Sequence, residues 1–397
     1  MHADRTGQAL PCEGPGIGVC YPGDRVDPDH WGVTGCCSFW SLLHGGVSQT
    51  ECPERNDAQG RETSVTGTMQ YAPATAKPRQ TTARKPSRGR VRKAGHRPAR
   101  ATVLVLWTGY PNGPHVCRSL SRAGFRVLGA NPEGLRRSIA CLRPRRYPPP
   151  TDSPDAFLAV IEEICRADGV DAVVPLEEDI VRLLAERGSE LGSVTIVGPT
   201  AAQSRALCDK AGLARTAQSL GVYSPRIVEV RAGEPTGPWP ALPSVVKPVT
   251  STTAGAIVRL AQTFEERDAF VAKIATEGNA ALVQECISGP RWVVHSVRGP
   301  GVFEYVAHRV HLEWPRTAGL ASIKRPEPPP QSLVSAARRL LEHVDYRGPS
   351  GISFLERDGH YYVHDANLRF GGTTGVSIHA GFDWPRRALE VALGLPG

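Results

Sequence analysis

Gly351-Ile-Ser-Phe-Leu-Glu-Arg-Asp-Gly-His-Tyr-Tyr-Val-His-Asp-Ala-Asn-Leu-Arg-Phe-Gly-Gly372, near the end of the chain, decides how the rest is read. Asp358-Gly359 is a tight-turn dipeptide, so the stretch reads as two strands joined by a hairpin turn. The second strand, Tyr361 to Val363, runs on into Asp365-Ala-Asn367-Leu-Arg369. An extended chain puts alternate side chains on one face, so Asp365, Asn367 and Arg369 are expected to point the same way. A carboxylate and an amide carbonyl are oxygen ligands that suit Mg²⁺ and leave places for phosphate oxygens. An arginine two positions on can hold phosphoryl oxygens. The same spacing also describes a polar edge strand facing water.

A second feature of this kind lies upstream. Ser244-Val-Val-Lys247-Pro248 reads as a strand closed by a lysine, followed by the small-residue loop Val249-Thr-Ser-Thr252-Thr253-Ala-Gly255. Loop N–H groups and hydroxyls can approach phosphate oxygens, and the lysine supplies a point charge. Gly-Lys-Ser/Thr is absent, so this is not a Walker A loop. Beyond residue 100 the lysines are Lys210, Lys247, Lys273 and Lys324. In so arginine-rich a body, a lysine kept at this place is suggestive. Ala256 to Leu260 reads as a strand, and Ala201 to Leu220 as a helix containing Asp209-Lys210.

Residues 101–200 read as an α/β domain with a parallel sheet. Thr102-Val-Leu-Val-Leu-Trp107 is a continuous apolar run of the buried parallel-strand type. A turn, a helix from His115 to Ala123 and a strand from Phe125 to Gly129 complete a βαβ unit. It lacks the full Gly-x-Gly-x-x-Gly fingerprint, so it is read as scaffold. Arg143 to Pro150 reads as a loop, Asp155 to Ala167 as a helix and Asp171 to Pro175 as the third strand. Glu177-Glu178-Asp179 opens the next helix. Acids suit a helix N-terminus, or they wall a cleft at a strand end.

Residues 1–100 are rich in Gly, Pro, Thr and Arg and show no sustained period. They are expected to form a disordered tail that the fold can lose. They carry a net charge of +5 of the overall +8, and Lys77 to Arg100 holds ten basic residues and no acid. With no aromatic residue interleaved, that run reads as solvated, with no specific nucleic-acid partner. Cys12, Cys20, Cys36, Cys37 and Cys52 contain no Cys-x-x-Cys pair, which gives a zinc site little support. No apolar run reaches the length of a membrane span, and Met1-His-Ala-Asp-Arg lacks a signal-peptide core, so no membrane partner and a cytoplasmic location are expected.

Taken together, Gly-Pro-x(9)-Asp-Lys210, Val-Val-Lys247-Pro, Leu-Val-Gln-Glu-Cys-Ile-Ser-Gly289-Pro-Arg and Asp365-Ala-Asn367-Leu-Arg369-Phe-Gly-Gly resemble, in that order, the ATP-grasp superfamily. The likeness runs from about Ala101 to the end and looks closest to the carbamoyl-phosphate-synthase-like and biotin-carboxylase-like branch. It implies a two-lobed ATP-grasp domain over residues 201–397, behind the α/β domain. Lys210 and Lys247 then correspond to the two lysines that touch ATP phosphates, with Thr252, Thr253 and Gly255 in the phosphate loop. Gln284 to Ile287 corresponds to the adenine hinge, read through backbone groups of Glu285 and Ile287. Asp365 and Asn367 correspond to the metal ligands and Arg369 to the arginine at the transferred phosphoryl group. The implied cofactors are ATP and Mg²⁺, for which Mn²⁺ could substitute. The implied reaction turns a small carboxylate into an acylphosphate, which an amine then attacks. A homodimer is compatible with the branch.

The sequence departs from the family pattern in places. The usual first metal carboxylate is replaced by Ser353, twelve residues before Asp365. Ser353 faces Asp365 if the turn holds an odd number of residues and points away otherwise. The phosphate loop has one glycine where relatives often have several. An ATP-binding protein with weak or no catalysis is therefore the alternative to a ligase, and carboxyphosphate chemistry ranks below both. His308, Arg309, His311, Arg316 and Arg325 fall where relatives build an acid-substrate pocket, or are ordinary surface basicity.

Overall fold

The computed structural model describes residues 100–132, 144–231, 234–249, 258–276, 280–314 and 320–396. Residues 1–99 of the expected tail, the loop residues Thr252, Thr253 and Gly255, and Arg316 lie outside the described residues. Among the described residues, three five-stranded sheets carry the fold.

The first sheet is parallel, in the order β3-β2-β1-β4-β5. Its strands are β1 (Thr102–Leu106), β2 (Arg126–Pro132), β3 (Arg145–Tyr147), β4 (Ala172–Pro175) and β5 (Thr195–Ile196). Leu104, Leu106, Phe157, Ile161 and Ile180 pack one face under α2 (Pro154–Asp168) and α3 (Glu178–Arg187). Val103, Val105, Val116 and Leu120 pack the other, where α1 (Gly113–Arg122) lies. Both faces are covered, which is why β1 reads as an unbroken apolar run. The strand order reverses at β1, so the C-terminal ends of β1 and β4 open a crevice.

Arg143 to Pro150, expected as a loop, contains β3. Arg145–Tyr147 pairs in parallel with Ala130–Pro132. Tyr147 is fully buried and meets Phe157 edge-on at 5.1 Å. A three-residue edge strand is too short to show a period, and its arginines mark an exposed edge.

The second and third sheets are antiparallel. The second runs β7-β6-β10-β8-β9, with β6 (Ile227–Arg231), β7 (Glu234–Pro235), β8 (Ser244–Pro248), β9 (Arg259–Ala261) and β10 (Ala281–Glu285). The third runs β13-β12-β11-β14-β15, with β11 (Arg291–Gly299), β12 (Val302–Trp314), β13 (Leu320–Pro326), β14 (Gly348–Arg357) and β15 (His360–Asn367). The expected helix 201–220 is broken into α4 (Ala201–Gln203), a π-helical turn over Ser204–Cys208, and α5 (Lys210–Ser219). Helix α6 (Phe264–Thr276) covers the second sheet. Helix α7 (Gln331–His343) and α5 cover the face of the third sheet that carries Trp292, Ile352, Phe354 and Val363. The opposite face of that sheet is left for α8 (Thr374–His379) and α9 (Trp384–Ala392).

Helix α9 joins the first and third sheets. Trp384, Ala388 and Leu389 share one core with Val103 and Val105 on one side and Val297 on the other. The Trp384 indole donates to the Ser296 carbonyl at 3.0 Å. The α/β sheet therefore meets the third sheet through buried apolar contact, which holds the crevice at β1 and β4 against the segment that follows β15.

Candidate active site

The hairpin at Asp358-Gly359 forms as read; its two-residue turn would by parity point Ser353 away, yet Ser353 pairs directly with Asp365. The ladder skips His364, because Phe354 pairs with Val363. This single-residue bulge has a large effect. Tyr361 and Val363 belong to the core, and strict alternation would have sent Asp365 there as well. With His364 as the extra residue, Ala366 and Leu368 take the core face instead. Asp365 and Asn367 turn to the opposite face, where the Asn367 amide nitrogen donates to Asp365 Oδ2 at 2.8 Å.

Lysines from three different elements act on that carboxylate. Lys247 closes β8, is 4% exposed, and donates to the His364 carbonyl at 3.3 Å. Burial, reinforced by Lys210 and opposed by Asp365, pulls the Lys247 ammonium down to about 7. Lys210 opens α5 and is 8% exposed. The π-turn positions it: Asp209 caps α5 by accepting from the Gly212 N–H, and a Cβ on Gly212 would lie 1.9 Å from the Arg205 carbonyl oxygen. Lys324, on β13, donates to Thr373 Oγ1 at 3.2 Å. Burial and Arg291 pull it down to about 8, against the pull of Asp365 and Glu313. Burial raises the Asp365 pKa, but Lys210, His364, Lys247 and the Asn367 amide outweigh it and hold the carboxyl below its usual range. Lys324 was not singled out from the sequence, although the lysine scarcity that marks Lys247 applies to it equally. Lys273 is exposed on α6.

Arg369 follows β15 and is met from the first sheet. Its Nε donates to Glu178 Oε2 at 2.8 Å and one Nη donates to the Phe370 carbonyl at 3.2 Å. Burial works against the guanidinium charge, but Glu178, Tyr110 and Asp365 outweigh it and raise the pKa. The three acids at the start of α3 thus divide. Glu177 caps the helix by accepting from Asp179 and Ile180 N–H groups, Asp179 pairs with Arg182, and Glu178 reaches across to Arg369. Asn112, fully buried at the start of α1, donates to the Phe370 carbonyl at 2.8 Å and holds the same segment from the other side.

The hinge residues sit at the end of β10. Gln284 and Ile287 are buried. The Glu285 N–H donates to the Arg226 carbonyl at 2.8 Å, which takes it out of the set free to read a base edge. The Glu285 carboxylate pairs with Arg357 at 2.9 Å. Of the basic set upstream, His308 is fully buried on the Ser353 face. Arg309 and His311 both pair with Glu327, and Arg309 lies over Trp292 on the other face. Arg325 is exposed.

No family model matches the chain, and no curated protein matches it in sequence. Solved structures match the fold. The L-amino acid ligase from Bacillus licheniformis superposes with a TM-score of 0.60 at 16% identity, covering 74% of this chain and 74% of that one. A biotin carboxylase from Campylobacter jejuni in complex with an ATP analogue gives 0.59 at 14% identity over 75% of this chain and 72% of its own. The N5-carboxyaminoimidazole ribonucleotide synthetase from Thermus thermophilus gives 0.54 at 18% identity over 74% and 79%.

Proposed function

From a chain that has the ATP-grasp fold, we propose an ATP-dependent carboxylate–amine ligase that activates a small carboxylate as an acylphosphate. One observation carries the reading: three largely buried ammonium groups, Lys210, Lys247 and Lys324, converge on the carboxylate of Asp365. Lysines gathered from three elements beside one carboxylate favour an anionic ligand, and a triphosphate is one.

The donor set fits one Mg²⁺. Asp365 offers carboxylate oxygens, and Asn367, its amide nitrogen committed to Asp365, offers its carbonyl oxygen. Among the described residues no group of three or more His, Cys, Asp and Glu could form an all-protein cage. Asp365 and Asn367 would therefore hold an ion that also binds phosphate oxygens and water. Mg-ATP, when bound, supplies the phosphoryl group and neutralises its charge during transfer. Lys247 and Lys210 hold phosphate oxygens, and Arg369, steadied by Glu178, takes the oxygens of the group in transfer. The segment Gln284–Ile287 holds the base. The substrate carboxylate would attack the γ-phosphorus as the P–O bond to ADP breaks and ADP leaves; the amine, losing a proton, would then form a C–N bond as the C–O bond to phosphate breaks and phosphate leaves. The lobes exclude water from the acylphosphate.

A second reading has one observation in its favour: Ser353 stands opposite Asp365 where a second carboxylate would help bind metal. An ATP-binding protein with little catalysis follows from it. The two are separated by ADP release from Mg-ATP across pooled amino acids and small carboxylic acids, with products read by mass. ADP release coupled to a condensed product supports the ligase; tight ATP binding with no turnover on any pool supports the binder. Lys247→Ala should weaken ATP binding at least tenfold, and unchanged affinity in a folded variant would remove Lys247 from the site.

A further inference from the structure

A buried polar chain runs behind the site without a part in the roles above. His295 on β11 and His308 on β12 are 2% and 0% exposed. Ladder pairing puts them on the sheet face of Ser353 and Asp365. Ser377 of α8 lies between them, its Oγ 2.7 Å from His295 Nδ1 and 3.0 Å from His308 Nε2. His295 Nε2 stands 3.5 Å from Thr373 Oγ1, the oxygen that also accepts from Lys324 at 3.2 Å. Thr373 directly precedes α8, where a threonine ordinarily accepts from an early helix N–H. Here its side chain makes no capping bond. Its oxygen is drawn into the polar chain instead.

Counting protons gives the chain a direction. Burial lowers both imidazoles, reinforced at His295 by His308 and Lys324 and at His308 by Lys324, so each is neutral and carries one N–H. His308 Nδ1 is buried and has no partner among the described residues. A buried N–H without an acceptor is rarer and costlier than an idle lone pair, so the His308 proton belongs on Nε2 and is donated to Ser377 Oγ. Of the two imidazole nitrogens at Ser377 Oγ, His295 Nδ1 is the nearer, at 2.7 Å against 3.0 Å, and takes the serine proton. The His295 proton is left on Nε2, facing Thr373 Oγ1. That oxygen now meets two donors, His295 and Lys324, and its own O–H is turned away from both.

We propose that Thr373 is a hydrogen-bond donor to the carboxyl group of the acid substrate, with its hydroxyl aimed by the chain His308–Ser377–His295. This rests on the ligase reading. When the amine adds to the acylphosphate, negative charge gathers on the former carboxylate oxygen, and a pre-aimed donor stabilises it. No proton changes owner in this role. Thr373 touches substrate; His295, Ser377 and His308 are positioning residues.

Two measurements test it. The first needs no substrate: ¹⁵N chemical shifts of the two imidazoles, assigned through His295→Gln and His308→Gln, should report the Nε2–H tautomer for both. A Nδ1–H tautomer at either reverses the chain and overturns the proposal. The second uses Mg-ATP with pooled amino acids. Thr373→Val should lower turnover about 100-fold with unchanged ATP affinity, the size expected for one such donor, and Thr373→Ser should restore most of it. Ser377→Ala should lower turnover too, and the double variant Thr373→Val/Ser377→Ala should be no worse than Thr373→Val alone, because the serine acts through the threonine. Additive losses, or a Thr373→Val variant that turns over like the wild type, overturn the inference and leave the ligase reading standing. Weakened ATP binding in Thr373→Val assigns the hydroxyl to phosphate and also overturns it. A wild-type chain that binds no Mg-ATP removes the ligase reading itself.

Discussion

Ser353 faces Asp365 across the β14–β15 ladder, on the side of the sheet away from Ile352 and Val363. Ser353 is half-buried there, and its other ladder partner is Val293. A carboxylate at this position would stand beside Asp365 without entering the core. Ser353→Glu should therefore lower the Mg²⁺ concentration for half-maximal activity, because a second carboxylate adds a ligand to a site that otherwise relies on phosphate and water. The melting temperature should change little. A Mg²⁺ titration that does not move, or a collapse in stability, would remove residue 353 from the metal side of the cleft.

Lys247 makes a pH-dependent prediction. Its ammonium is pulled from 10.5 to about 7, first by burial and then by Lys210. Between those values the unfolded chain holds a proton that the folded chain has released, so stability through this group rises with pH across that window. Lys247→Met removes the linkage. Its gain in melting temperature over the wild type should be largest near about pH 6 and shrink steadily toward about pH 10. A difference that stays flat across that range would mean that the lysine is solvated rather than buried.

Gly212 tests the π-turn that delivers Lys210. A Cβ there would lie 1.9 Å from the Arg205 carbonyl oxygen, and backbone cannot yield as a side-chain tip can. Gly212→Ala should cost about 1–3 kcal/mol of stability, the usual range for overpacking, and weaken ATP binding as the start of α5 shifts. Gln218, exposed on the same helix, provides the control: Gln218→Ala should change neither quantity. Equal melting curves and ATP affinities for Gly212→Ala and wild type would show that the π-turn does not position the lysine.

Much of this architecture was legible because its signals are local. The buried run Thr102–Trp107, the Asp358-Gly359 turn and the oxygen-ligand pair Asp365 and Asn367 each read from a few adjacent residues. The features that escaped depend on partners elsewhere. Nothing in Tyr361 to Asn367 marks His364 as a bulge, since no glycine or proline interrupts the strand. Alternation alone therefore places Asp365 on one face with Asn367, but on the wrong side of Val363. Tyr147 makes an edge strand only because β2 and Phe157 receive it. Glu177, Glu178 and Asp179 read alike as acids at a helix start, and what singles out Glu178 is an arginine 191 residues away. The His295–Ser377–His308 chain joins three elements that no spacing rule connects.

The pairing of Glu178 with Arg369 ties the α/β sheet to the site, and it gives the last prediction. Arg369 is 13% exposed in its side chain and Glu178 18%, with 2.8 Å between Nε and Oε2. Glu178→Gln keeps the shape and removes the charge, leaving a largely buried guanidinium with the Phe370 carbonyl and the weaker influence of Asp365. The folded state should lose about 1–3 kcal/mol, the cost of under-satisfying a buried charged group. A phosphate group drawn to Arg369 would supply the missing negative charge. Mg-ATP should then raise the melting temperature of Glu178→Gln by more than it raises that of the wild type at the same ligand excess. If Mg-ATP stabilises both proteins equally, Arg369 does not approach the phosphates, and its pairing with Glu178 serves only to join the α/β sheet to the rest of the fold.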